Sequence, residues 1–168
     1  VETWIHTDSS LATKSERTLG IRPQDIVICQ HDSRRLIITI ATKLGTIVLA
    51  SLHALDVAGH GETAVAQWFQ DTAALMSVAE FRGLPHICGL DANQQSGDTL
   101  SIYTGGGLPD PASPGMDYLL EFLSAISCYM PSTFPVYQKQ GAAQHTFLKR
   151  NVKSLSVLPS CTNDYILA

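Results

Sequence analysis

Thr46-Ile47-Val48-Leu49-Ala50-Ser51-Leu52-His53, followed after a helical stretch by His86-Ile87-Cys88-Gly89-Leu90 and then Asp91-Ala92-Asn93, is the part of the sequence that decides the fold. Ile47-Val48-Leu49-Ala50 is continuously apolar instead of alternating, which predicts a central strand covered on both faces. Between the two runs, Val65, Trp68, Phe69, Thr72, Met76 and Ala79 recur at three- and four-residue spacing, so Gly61–Arg82 reads as an amphipathic helix. Gly83 is a fitting stop, and Leu84-Pro85 prevents continuation. Strand, helix and strand in that order form a crossover. It sets His53 and Asp91 at equivalent ends of two strands, where sites of layered α/β folds gather.

Working outward, Glu2–His6, Asp25–Cys29 and Arg34–Thr42 are rich in Ile, Val, Leu and Thr and read as further strands. Lys43-Leu44-Gly45 is a short turn, which makes Arg34–Thr42 and Thr46–His53 an antiparallel hairpin. Gln94–Pro111, with Gly105-Gly106-Gly107 and two prolines, reads as a loop. Ser113-Pro114 predicts an N-cap and first turn, followed by Met116, Leu119, Leu120, Leu123 and Ile126 on one helical face. Beyond lie Pro131-Ser132-Thr133-Phe134, a strand around His145–Leu148, a polar stretch from Lys149, and a last strand Asp164–Leu167.

The chain has 168 residues, 45% hydrophobic and 15% charged, with a net charge of −4. That length and apolar content predict one packed domain and exclude a disordered chain. No apolar stretch approaches the ~18 to 20 residues of a membrane-spanning helix. Val1–Asp8 has neither the basic start nor the apolar block of a signal peptide and reads as mid-domain sequence. Cys29, Cys88, Cys128 and Cys161 form no C-x-x-C pair, so reduced, buried thiols of an intracellular protein are expected. No targeting segment narrows the compartment further, and a nuclear setting is compatible. Eleven Lys and Arg against fifteen Asp and Glu make no polybasic face, so a polyanionic substrate would need a metal ion for much of its attraction.

Three segments place ligand-type polar residues at the ends of apolar strands: Ser51-Leu52-His53-Ala54, Gly89-Leu90-Asp91-Ala92-Asn93 and Asn163-Asp164-Tyr165-Ile166-Leu167. A carboxylate there holds a divalent cation or takes a proton from water, and a neighbouring Asn amide donates to a phosphate oxygen. Histidine supplies a proton or stabilises charge near neutral pH. Together these groups suit metal-assisted phosphoester hydrolysis. Each also has a plain structural reading. Asp91-Ala92-Asn93 is equally an Asx turn leaving a strand, His53 a half-buried core histidine, and Asp164 a solvent-facing strand start.

In order, a strand ending in Leu-His-Ala, a helix with an aromatic pair, a strand ending in Asp-x-Asn, a Thr-aromatic pair and an Asp-Tyr-Ile-Leu strand resemble the endonuclease/exonuclease/phosphatase family. The likeness is greatest to the endonuclease domains of non-LTR retrotransposons, and Leu-His-Ala is also similar to pancreatic-type deoxyribonucleases. Arg34-Arg35-Leu36-Ile37 looks like the strand before the histidine strand, and Glu2-Thr3-Trp4-Ile5 like the strand after the family's metal-binding Glu. Pro131-Ser132-Thr133-Phe134 and Thr146-Phe147 are similar to its Thr-Phe and Thr-Trp signatures.

The resemblance implies an α/β (α+β) fold, a four-layer αββα sandwich of two mainly antiparallel sheets flanked by helices, here incomplete. It implies Mg²⁺ or Mn²⁺, a DNA substrate, no membrane, and a fused reverse transcriptase in the full-length protein. His53 would assist at the phosphate, Asp91 orient or deprotonate water and serve as a metal ligand, Asn93 bind the scissile phosphate, and Asp164 orient a further catalytic group. Thr146 would be a supporting contact and Phe147 a substrate platform, while His60 and His145 stay surface histidines.

The departures are Leu90 where Gly usually precedes the Asp, Asn163 where an aliphatic precedes Asp164, and Leu55 where Pro usually follows His-Ala. The family's first Asn strand, its metal-binding Glu and its closing Ser-Asp-His find no match between Val1 and Ala168. A domain truncated at both ends, with little activity, is therefore the expectation. An inactive remnant of the fold and a small-molecule phosphatase of the same superfamily are the alternatives.

Overall fold

A computed structural model describes residues 13–14, 17–18, 21–95, 97, 99–105, 112–134, 147–150, 157–161 and 164–167; before residue 21 and after 134 only backbone pairing is given. The expected strand Glu2–His6 lies outside the described residues. The strands are β1 (Thr13–Lys14), β2 (Arg17–Thr18), β3 (Ile26–His31), β4 (Arg35–Thr42), β5 (Gly45–His53), β6 (His86–Asp91), β7 (Phe147–Arg150), β8 (Val157–Cys161) and β9 (Asp164–Leu167). The helices are α1 (Val57–His60), α2 (Glu62–Met76) and α3 (Met116–Ile126). The fold is mixed α/β. Its main sheet runs β3-β4-β5-β6-β9, parallel between β5 and β6 and antiparallel elsewhere, while β1-β2 and β7-β8 are separate two-stranded pairs. β7 overlaps the strand expected around His145–Leu148, whereas β8 lies in the stretch from Lys149 that reads as polar in sequence.

The β4–β5 hairpin closes on Lys43-Leu44, with Thr42 opposite Gly45. Gly45 takes φ +129°, a conformation that favours glycine, and the Thr42 hydroxyl donates to the Gly45 carbonyl at 2.6 Å. β5 is central in the sheet, as its apolar run predicts. Its two faces are covered unequally. Val48, Ala50 and Leu52, with Ile37, Cys88 and Leu90, are buried beneath Val65, Trp68, Phe69, Leu119 and Phe122 of the helices. The opposite face holds the smaller cluster Ile21, Ile38 and Ile40, with Leu36, Ile47 and Leu49 half-buried around it.

The α2 stripe Val65, Trp68, Phe69, Thr72 and Met76 is buried as its spacing predicts, but the helix ends at Met76 instead of Arg82. Val78 turns extended, and Ala79–Phe81 forms a separate 3-10 turn with Ala79 exposed and Phe81 buried. At 100° per residue, a continued helix would carry Phe81 about 140° away from Met76, so the break is what lets Phe81 join the core. α3 likewise starts at Met116 with Gly115 as N-cap, not at Ser113-Pro114. Ser113 is engaged elsewhere: its hydroxyl donates to Gln94 Oε1 at 2.6 Å and accepts from the Gln95 amide, tying the helix entrance to the β6 exit. Phe122, outside the expected stripe, meets Phe69 at 5.6 Å between ring centroids.

Cys88 and Cys128 are buried thiols, as expected, but Cys29 is exposed on the edge strand β3, beside a bulge. A hydrogen bond with Cys128, then burial, push the Cys88 thiol far up, so it stays protonated. No described helix is long and apolar enough to cross a membrane.

Asp32 fixes the β3–β4 turn. Burial works against its charged form, yet the amides of Arg34 and Arg35, both 2.8 Å from Oδ1, hold its pKa below the ordinary carboxylate range. A folded-state pKa below the unfolded value of about 3.9 means that Asp32 stabilises the fold above that value, and that the contribution fades as pH falls through the folded pKa. Asp32→Asn is therefore expected to flatten the acid limb of a stability-versus-pH curve below about pH 4, measured by urea unfolding. In the core, Phe69→Ala is expected to cost about 3–5 kcal/mol by the same measurement.

Candidate active site at the strand ends

The parallel pairing of β5 and β6 sets His53 directly beside Asp91, at the carboxyl ends of both strands. The antiparallel pairing of β6 and β9 sets Asp164 opposite Asp91. Three of the four expected catalytic positions therefore share one end of three adjacent strands. The fourth, Asn93, is two residues past Asp91. The strand ladder continues one step beyond His53, where the Ala54 amide donates to the Asp91 carbonyl at 2.8 Å.

His53 Nε2 lies 3.6 Å from Asp91 Oδ2, with side-chain exposures of 48% and 38%. That separation exceeds a hydrogen bond, and an ion pair so open to water stabilises the fold by no more than about 1 kcal/mol. The pair is accessible chemistry, not a structural brace. Asp91 Oδ1 accepts the Asn93 amide at 3.2 Å, so the Asx turn is real as well. That turn aims Asn93 back across the strand ends. Asn93 takes φ +49° and donates from Nδ2 to the Ala54 carbonyl at 2.9 Å.

The Ala54 carbonyl has a second donor, Nη1 of half-buried Arg34 at 3.3 Å. The Arg34 carbonyl in turn accepts the His53 amide at 2.9 Å. From the residues alone Arg34 reads only as part of a strand. The signal was in the hairpin: counting back from the turn at Lys43-Leu44 puts Arg34 opposite His53. Just downstream, Asp56 caps α1 by accepting the Gly59 amide and lies 3.2 Å from His60 Nδ1; the Gly59 bond holds its carboxyl below the ordinary range. His60 is exposed, as expected of a surface histidine. Thr146 lies outside the described residues. Phe147 is in β7, opposite Cys161, and its backbone pairing is all that is described.

The donor chemistry suits a hard cation in part. Asp91 offers an accessible carboxylate with lone pairs beyond the one the Asn93 amide uses, and Mg²⁺ commonly takes one or two carboxylates and completes its shell with water. Among the described residues no group of three His, Cys, Asp or Glu side chains gathers into a closed metal site.

No family model matches the chain, and no curated protein matches it. Among solved structures, the endonuclease domain of TRAS1, a telomere-specific non-LTR retrotransposon, is similar over 95% of this chain at 13% identity, with a TM-score of 0.47. The chain spans 64% of that domain's length. Overlap at this level assigns no activity.

Asn93→Ala loses the bond to Ala54 and leaves in the left-handed region a residue that tolerates it less well than Asn, with an expected cost of about 2 kcal/mol. Asn93→Gly loses only the bond, and should cost about 1 kcal/mol in urea unfolding.

Proposed function

We propose that these strand ends belong to a phosphodiester-hydrolysing endonuclease of the endonuclease/exonuclease/phosphatase kind, like those of non-LTR retrotransposons and acting on DNA. The observation that carries the reading is the shared register of His53, Asp91 and Asp164, with Asn93 turned back onto it. An accessible histidine and carboxylate with an amide beside them, and a second aspartate in register, supply group types that attack on a phosphodiester by water uses.

In this reading His53 donates toward the phosphate, Asp91 orients or deprotonates the water, Asn93 uses its remaining amide donor on a phosphoryl oxygen, and Asp164 orients a partner group. Mg²⁺ or Mn²⁺ belongs to the proposal, with Asp91 as one ligand among others from outside the described residues. When bound, the ion would neutralise charge developing on the phosphate. Thr146 and Phe147 are proposed substrate contacts, and a reverse transcriptase a proposed neighbouring domain. The second layer of a four-layer sandwich is proposed to cover the face bearing Ile38, Ile40 and Leu49. Support for that is the apolar character of the face and the 43% exposure of Ile87, next to Leu49 in register.

Supercoiled plasmid incubated with the full-length protein and Mg²⁺ tests the reading. Nicking is expected, with Asp91→Ala and His53→Ala each lowering its rate by about 10²-fold or more. Nicking undiminished in both variants overturns the assignment of the site. Hydrolysis of small phosphomonoesters with DNA left intact favours the phosphatase alternative.

A further inference from the structure

Arg34 and Arg35 are adjacent in sequence, and the fold gives them opposite fates. Arg35 lies across the Trp68 ring, its guanidinium carbon 5.2 Å from the centroid, and approaches Asp32 at 3.8 Å. Arg34 turns to the strand ends. Its only described side-chain bond is to the Ala54 carbonyl, the same oxygen that holds Asn93. Among the described side chains no carboxylate pairs with it, because Asp32 spends its oxygens on the two backbone amides and on Arg35. Of the other cations whose side chains are described, Arg22 pairs with Asp25, Lys43 sits in the distal hairpin turn, and Arg82 follows the 3-10 turn that leads to the far end of β6.

We propose that Arg34 is the phosphate-binding cation of this site, gripping the non-bridging oxygens of the phosphodiester beside Asn93; the inference rests on the function proposed above. A half-buried guanidinium with no carboxylate partner among the described side chains is suited to take an anion. Its planar fork, held by one Nη1 bond, keeps further N–H donors free for two parallel bonds to phosphate, a geometry that lysine does not offer. The position is rigid, since Asp32 pins the Arg34 amide and the Arg34 carbonyl is tied to His53. In a chain of net charge −4, one cation so placed matters more than it would on a basic surface.

Binding of a short duplex DNA, followed by anisotropy across a salt series, tests Arg34 without requiring turnover. Arg34→Ala is expected to weaken binding about tenfold and to reduce the slope of log K against log salt by about one. Arg34→Lys should keep the slope while lowering kcat/KM, and Arg35→Ala should lower the melting temperature with the slope unchanged. A wild-type affinity and slope in Arg34→Ala overturns the proposal. If the wild-type protein neither binds nor nicks DNA, the nucleic-acid reading fails, and titration of ¹⁵N-labelled protein with inorganic phosphate then decides on Arg34. A shift of its Nε–H resonance supports a phosphate site, and an unmoved resonance rejects it.

Discussion

The parallel pairing of β5 with β6 is the constraint on which the rest depends. Parallel neighbours cannot be joined by a tight turn, so the chain between them must cross over, and α1, α2 and the 3-10 turn at Ala79–Phe81 form that crossover. The pairing runs from Val48 beside His86 to His53 beside Asp91. At one end it is sealed by the Val48 amide bonding to the Pro85 carbonyl, at the other by the Ala54 amide bonding to Asp91. A slip of one residue would send Val48, Ala50 and Leu52 to the wrong face and separate His53 from Asp91 at the same stroke. Burial of the strand therefore fixes the register of the site.

Stability and chemistry are drawn from different layers. Beneath the sheet, Trp68, Phe69, Leu119, Phe122 and their neighbours form the main core, and the groups at the strand ends contribute little to it. His53 and Asp91 are too exposed and too far apart to brace the fold. What positions them is backbone: the ladder under His53, the Asx turn at Asp91, and the Ala54 carbonyl that receives both Asn93 and Arg34. A site built this way leaves its side-chain donors largely uncommitted, which is the state a substrate requires.

Much of the fold was legible in local patterns. The continuous apolar run of β5, the helical stripe of α2 and the hairpin turn at Lys43-Leu44 each state their structure through period alone, because burial imposes that period on a strand or a helix. Boundaries were less legible. α2 stops at Met76 because Phe81 must reach the core, and α3 starts at Met116 because Ser113 is drawn to Gln94. Both are contacts between segments distant in sequence or direction, invisible to a periodicity. Cys29 is exposed for a related reason: a strand-like sequence does not say whether it lies at the centre of a sheet or at its edge.

The sequence by itself determined the strand–helix–strand order, the apolar faces, and the polar residues waiting at strand ends, since all of these follow from residue type and spacing. Only the tertiary structure decided that the Asp164 position joins His53 and Asp91 across three strands and that Arg34, not Arg35, reaches the Ala54 carbonyl beside them. Arg34 stands in the bend just before β4 while Arg35 opens the strand on the Trp68 face, so which of the two adjacent arginines reaches the strand ends is settled by register. Register, in turn, is set by what the sheet buries.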